Sequence, residues 1–229
     1  MTTSATNRSG TRRAVYVWDL PVRVCHWGLV ASAGLAWYSA EQGLQWWDVH
    51  RWAGYTFLTL LGFRLLWGLF GSETARFADF LAAPGRVLAY LRGWWHDRTP
   101  SRGHNPLGGW AITAMLGTGL AVGVTGLFAT DDILYDGPLA GWVAAQTRQE
   151  MASLHATLFD LLLVLVVLHV AAIAVYRLVR GERLLGAMIT GYKPHPDAPQ
   201  QPWIAPLWRA VAAVAVSTGT LALAVHLAP

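Results

Sequence analysis

Eight histidines stand in a chain that has a single cysteine, so imidazole is the main soft metal-binding side chain on offer. Four of them, His26, His50, His155 and His169, lie at or within apolar runs. His155 and His169 are fourteen residues apart. On a helix that spacing falls about 40° short of four full turns and separates the two by about 21 Å along the axis. Both therefore project from nearly one face at two depths. His26 opens the first apolar run and His50 the second, and successive runs alternate in direction. Depth then pairs His26 with His169 and His50 with His155. Two facing neutral imidazoles can supply both axial ligands of a haem iron. A zinc ion would want a third and a fourth ligand, and no carboxylate or thiol sits on the matching face. Cys25 adjoins His26, but neighbours on a helix point about 100° apart. Four unrelated polar residues would need their matched depths to be coincidence.

The elements that must hold these side chains are apolar and long. The chain has 229 residues, 54% hydrophobic and 13% charged, with 13 Trp and 23 Gly. A soluble domain carries about 25% charge, so lipid is the solvent this composition suits. Five apolar segments run roughly from Val24 to Leu44 (with Trp46 and Trp47 beyond it), His50 to Phe70, Leu107 to Thr130, Leu154 to Val179 and Ile204 to Leu227. Each approaches the ~20 residues that cross a bilayer core, and helices satisfy their backbone groups in lipid. The fold expected is all-α: a membrane four-helix bundle that binds haem, plus a fifth C-terminal transmembrane helix. The division expected is a cytoplasmic tail over 1–23, a di-haem core over 24–193, and a Pro-rich linker with the fifth helix over 194–229. The stretch Phe77 to Trp95 is too polar to span. Its apolar residues recur at Phe77, Phe80, Leu81, Val87, Leu88 and Leu91, with Pro84 and Gly85 interrupting the run, which predicts one or two short helices in the membrane interface, with a plain loop as the alternative.

Charge sets the topology. The net charge is +4, but the cations flank apolar runs and form no nucleic-acid footprint. Arg8, Arg12, Arg13 and Arg23 precede the first run. Arg76, Arg86, Arg92, Arg98 and Arg102 follow the second. Arg177, Arg180, Arg183, Lys193 and Arg209 follow the fourth. These are 14 of the 17 Lys and Arg, and the positive-inside rule places them, and the N-terminus, in the cytoplasm and the C-terminus outside. The first 20 residues are polar and basic, unlike a cleavable signal peptide. With one cysteine, a disulfide framework, a cysteine-based zinc site and an iron–sulfur cluster are excluded, and no CxxCH is present for covalent haem attachment.

Secondary features raise further expectations. Arg64 lies fourteen residues after His50, on the same face and about 21 Å deeper, where a haem propionate would satisfy its guanidinium. Snorkelling to the interface is the alternative. Arg23 and Arg51 are secondary candidates for propionate contacts. Gly117, Gly119, Gly123 and Gly126 in the third segment let either a macrocycle or another helix come close. Asp160, rotated about 140° from His155, is expected to meet the fifth helix at Ser217, Thr218, Thr220 or His226, with proton handling as the sharper alternative. The acidic outer loop, with Asp131, Asp132 and Asp136, suits a basic partner.

The motifs WDLPVRVCHW at Trp18–Trp27, HRWAG at His50–Gly54, GHNPLGGW at Gly103–Trp110 and LHATLFDLLLVLVVLHV at Leu154–Val170 resemble the bacterial cytochrome b561 family, which includes the cytochrome b subunits of nickel–iron hydrogenases. The resemblance covers about Val15 to Lys193. It implies a four-helix core with two haems b, and the family's ligand pattern falls on His26, His50, His155 and His169. It implies electron transfer in the bacterial inner membrane between a periplasmic donor (a c-type cytochrome, hydrogenase or other dehydrogenase) and membrane quinone, as the cytochrome b subunit of a redox complex. The runner-up readings are a self-sufficient oxidoreductase for a small molecule such as superoxide, and a haem-binding sensor or carrier. A quinone site near the cytoplasmic surface would draw on His104 and the Trp94–Trp95–His96 stretch. A homodimer is left open.

Overall fold

The computed structural model describes residues 13–96, 101, 103–195 and 200–228. Arg8, Arg12, Arg98 and Arg102 of the topology count lie outside them. The chain begins with strand β1 (Arg13–Tyr16) and then helix α1 (Leu20–Glu41). Asp19 starts α1: its Oδ1 accepts from the Val22 amide at 2.8 Å, and Pro21 occupies the first turn, where its missing N–H costs nothing. Helix α2 (Trp47–Phe70) returns alongside α1. Two short helices follow, α3 (Phe77–Phe80) and α4 (Pro84–Gly93), then α5 (Pro106–Phe128) and the long α6 (Ala145–Val175). A π-helical segment, Tyr176–Arg180, extends α6 and stops at Gly181, whose φ of 69° is left-handed. Helix α7 (Leu184–Thr190), strand β2 (Tyr192–His195) and α8 (Leu207–His226) complete the chain.

The molecule is mostly helical, and among the described residues four helical stretches are long and apolar enough to cross a membrane: Leu44–Phe70, Pro106–Phe128, Ala145–Arg180 and Leu207–His226. Helix α1 has the length, at 22 residues, but carries Arg23, His26, Ser32, Ser39 and Glu41. Its two serines return their hydroxyls to backbone carbonyls one turn back, Ser32 to Gly28 and Ser39 to Leu35, which removes that polarity from the surroundings.

Helices α1 and α2 pack together, as do α5 and α6, and α2 also packs on α5. Gly119 and Gly123 serve this last contact, since a Cβ there would meet Phe57 and Leu58 of α2. The closely packed core sits at one end of the bundle. There Val15, Val17, Trp18, Val22, Cys25, Phe63, Trp67, Ala75, Ala187 and Ala205 bury one another. The antiparallel pair β1–β2, in register Arg13↔His195 to Tyr16↔Tyr192, belongs to the same end. Asp19 Oδ2 accepts from buried Trp67 Nε1 at 2.9 Å, tying α1 to α2, and Lys193 pairs with Glu182 at 2.9 Å.

Three sequence expectations change. Helix α6 begins at Ala145 rather than Leu154, because its first turns are polar helix formers that hydropathy does not register. Pro84 starts α4 instead of only interrupting a helix. Asp160 does not meet the fifth helix: α8 packs on α2, and Asp160 is exposed on α6. The cause is the segment before α8, which is clamped to the end of α2. The Glu73 amide donates to the Trp203 carbonyl, the Trp203 amide to Glu73 Oε2, the Ala205 amide to Ser72 Oγ, and Arg209 to the Phe70 carbonyl. Ser217 then lies against Gly62, where a Cβ would be 3.0 Å from its Oγ.

Candidate haem-binding histidine pairs

His50 stands in the first turn of α2, and His155 ten residues into α6. Their ring centroids are 6.2 Å apart with planes at 75°. An imidazole nitrogen binds a first-row metal at about 2.0 Å and sits about 1.1 Å from its ring centroid, so two rings on opposite sides of one metal have centroids about 6.2 Å apart. The other nitrogen of each ring is committed. His50 Nδ1 bonds the Ala36 carbonyl of α1 at 2.9 Å, and His155 Nδ1 bonds the Val122 carbonyl of α5 at 2.8 Å. A carbonyl only accepts, so each Nδ1 carries the proton and each Nε2 keeps a free lone pair. This is the backbone-anchored form in which histidine ligates metals. Gly126 makes room for it, since a Cβ there would lie 3.0 Å from the His155 ring. A ring stack leads outward from the pair: His50 on Trp47 at 5.9 Å and 21°, and Trp47 on Tyr135 of the loop after α5 at 4.8 Å and 17°.

At the other end, His169 is close enough to His26 for the two to interact electrostatically. His26 Nδ1 is buried without a hydrogen-bond partner, and its ring meets Trp27 edge-on at 5.0 Å. Arg64 is buried rather than extended to the surface. It donates to the Ala75 carbonyl at 3.2 Å and lies 5.5 Å from the Phe77 ring and 5.9 Å from the Phe80 ring. His104 is inserted between Trp18 at 4.5 Å and Phe80 at 4.8 Å, with a buried Nδ1 that has no partner. Burial first, then the charges of Arg64, His169 and Lys193, push its pKa down to about 3, so it is neutral. Trp94 lies apart from it, against Tyr176, while Trp95 and His96 are exposed. Arg23 donates to the Ile189 carbonyl at 2.6 Å, and Arg51 is in an exposed pair with Asp48 at 2.8 Å.

The donor chemistry fits haem better than a bare ion. Among the described residues no group of three or more His, Cys, Asp or Glu is placed to hold a metal. Two imidazoles suffice where a macrocycle supplies the remaining ligands. Fold and site together define a multi-pass membrane bundle with histidine pairs between its helices. The chain belongs to the prokaryotic cytochrome b561 family, which takes in the nickel–iron hydrogenase cytochrome b type, and the family model matches residues 17–191. Membership carries b-type haem and a transmembrane electron-transfer role. No curated relative and no solved structure matches the chain.

Residue types and spacing could not reveal the Ala36 and Val122 carbonyls, because backbone atoms have no sequence signature. Asp19 was findable from Asp-Leu-Pro ahead of an apolar run. The Trp47 stack, and a hydrogen-bonded group around Tyr176, gave no sequence signal of their own.

Proposed function

We propose that the chain carries electrons across the bacterial inner membrane between a periplasmic donor and membrane quinone, as the cytochrome b subunit of a redox complex. Two haems b would be held, one by His50 and His155, the other by His26 and His169. The observation that carries this reading is the first pair: a centroid separation of 6.2 Å with both Nδ1 atoms bonded to carbonyls. Bound haem supplies a one-electron carrier at each pair. The protein's own part is to hold the rings. Ala36 and Val122 fix tautomer and orientation, Gly126 leaves space, and Arg64 provides a buried cation for a propionate near the His26–His169 end. The Tyr135–Trp47–His50 stack lies between the outer loop and the first pair and favours that loop as the donor's side.

The experiment is haem content and redox titration of the purified protein. His50→Ala and His155→Ala should each remove one and the same haem, and His26→Ala and His169→Ala the other. If His26→Ala and His155→Ala lost the same haem, the pairing would be wrong. Arg64→Leu should shift the midpoint potential of the second haem and leave the first unmoved. An unchanged potential and occupancy would remove Arg64 from the site.

A further inference from the structure

His104 precedes Asn105, the residue that starts α5 by accepting the Gly108 amide on its Oδ1 at 2.7 Å. The loop before it is held too, since Lys193 donates to the Ser101 carbonyl at 3.0 Å. The imidazole is thereby fixed between Trp18 at 4.5 Å and Phe80 at 4.8 Å. Its Nδ1 is buried with no hydrogen-bond partner. Buried polar atoms in folded proteins are paired, so an orphaned one calls for a group that the chain does not itself supply.

Arg64 makes the same demand beside it. Its guanidinium carbon lies 5.9 Å from the Phe80 ring that His104 also touches, and its charge reaches His104. One N–H goes to the Ala75 carbonyl, and a guanidinium has others to give. A buried cation needs an anion. The acid whose charge reaches Arg64 is Asp19, and both its oxygens are committed, one to the Val22 amide and one to Trp67 Nε1. Water or a quinone carbonyl would satisfy the orphaned nitrogen and leave the cation unmatched. A carboxylate matches both, one oxygen for each. His169 is close enough to His104 to interact electrostatically, so the haem of the His26–His169 pair would bring its propionates to this corner.

We infer that His104 is a positioning residue for that haem: its Nδ1–H donates to one oxygen of the propionate whose other oxygen meets Arg64. The inference rests on the haem reading above, and it moves His104 from the quinone lining expected of it to the haem. A hydrogen bond to the charged form of a carboxyl group favours that form, so His104 keeps the propionate ionised.

The test is redox titration of both haems as a function of pH in the haem-loaded full chain, with haem content as the control. Oxidation adds a positive charge near the propionate, so the midpoint potential falls as pH rises through the propionate pKa. His104→Phe keeps a ring between Trp18 and Phe80 and removes the N–H. For the haem that His26→Ala removes, the fall should then move up by about one pH unit. The other haem should not move. His104→Asn, whose amide sets an N–H near the place of Nδ1, should restore the wild-type curve. A curve unmoved in His104→Phe, or not restored in His104→Asn, overturns the assignment. Should His104→Phe lose haem, the isosteric pair His104→Asn and His104→Leu takes its place. Asn should hold the wild-type curve while Leu shifts it or drops that haem, and equal behaviour of the two overturns the assignment in favour of packing. An unmoved curve with weaker ubiquinone-1 binding overturns it in favour of a quinone contact. If His26→Ala removes no haem, the haem reading falls and this inference with it, whereas the other outcomes leave that reading standing.

Discussion

Ala36 and Val122 contribute only carbonyl oxygens to the first histidine pair, yet those two atoms decide which nitrogen of each ring is free. A ligating histidine needs its far nitrogen held, and here the hold comes from the flanking helices α1 and α5 instead of from a carboxylate. Gly126 is the residue with no slack, since the ring its Cβ would strike is fixed by the bond to Val122. Gly126→Val should therefore cut haem content by about half, with the missing haem being the one that His50→Ala removes. Gly117→Ala, which faces open space, should leave both in place. Haem quantitation of the two variants checks this, and two full haems in Gly126→Val would sink it. The spacing of the four histidines was legible because it is a property of side chains and helical period. The anchoring carbonyls were not, because they depend on which helix lies alongside, a tertiary fact.

At the scale of elements, polar anchors decide arrangements that apolar periodicity leaves open. Asp19 does two jobs, capping α1 and satisfying buried Trp67. Losing the cap costs about 1 kcal/mol and stranding a buried N–H about 1–3 kcal/mol, so Asp19→Ala should destabilise the bundle by about 2–4 kcal/mol. Equilibrium unfolding in detergent mixtures reads this directly. Asp19→Asn, which keeps the cap and an acceptor, should lose less. Placement of α8 shows the opposite kind of case. Its existence was legible from a long, mostly apolar run, its neighbour was not. Any of several bundle faces could have received it, and the choice falls to Ser72, Glu73 and Arg209 at the end of α2. The Gly62–Ser217 contact follows from that clamp. Gly62→Leu should displace α8 and lower stability while leaving both haem spectra intact, since Gly62 lies on the α8-facing side of α2. Loss of a haem in that variant would show that α8 supports the core more deeply than its packing indicates.

For the whole molecule, the short β1–β2 ribbon constrains the number of membrane crossings. β1 precedes α1 and β2 follows α7, and the two are hydrogen-bonded partners, so both must lie on one side of the bilayer. Between them run four long helices, α1, α2, α5 and α6. Three of these are apolar enough to cross on their own account. Three crossings would leave the strands on opposite sides, so α1, despite its polar load, is predicted to be the fourth. Its serines are satisfied within the helix and its Cys25 bonds the Leu60 carbonyl, which makes such a crossing affordable in lipid. A fifth crossing by helix α8 is the expectation, and it would put the two termini on opposite sides. The positive-inside rule predicts the ribbon inside and the loop with Asp131, Asp132 and Asp136 outside. Three backbone amides, those of Tyr135, Ile133 and Leu134, hold the Asp131 carboxyl below the usual carboxylate range, so it stays charged into acid. Electron uptake from a basic donor should accordingly slow as salt rises, and charge-neutral variants of the three aspartates should flatten that dependence. The crossing number itself is checked by terminal reporters. Green fluorescent protein should fluoresce when fused at the N-terminus and stay dark at the C-terminus, where alkaline phosphatase should be active instead. If both termini reported the same side, either α1 or α8 would not cross. A double variant Tyr16→Cys, Tyr192→Cys distinguishes the two, because Tyr16 and Tyr192 are register partners in the ribbon with rings 5.0 Å apart. An oxidative crosslink there keeps the ribbon, and with it α1 as a crossing, and leaves α8 as the helix that turns back.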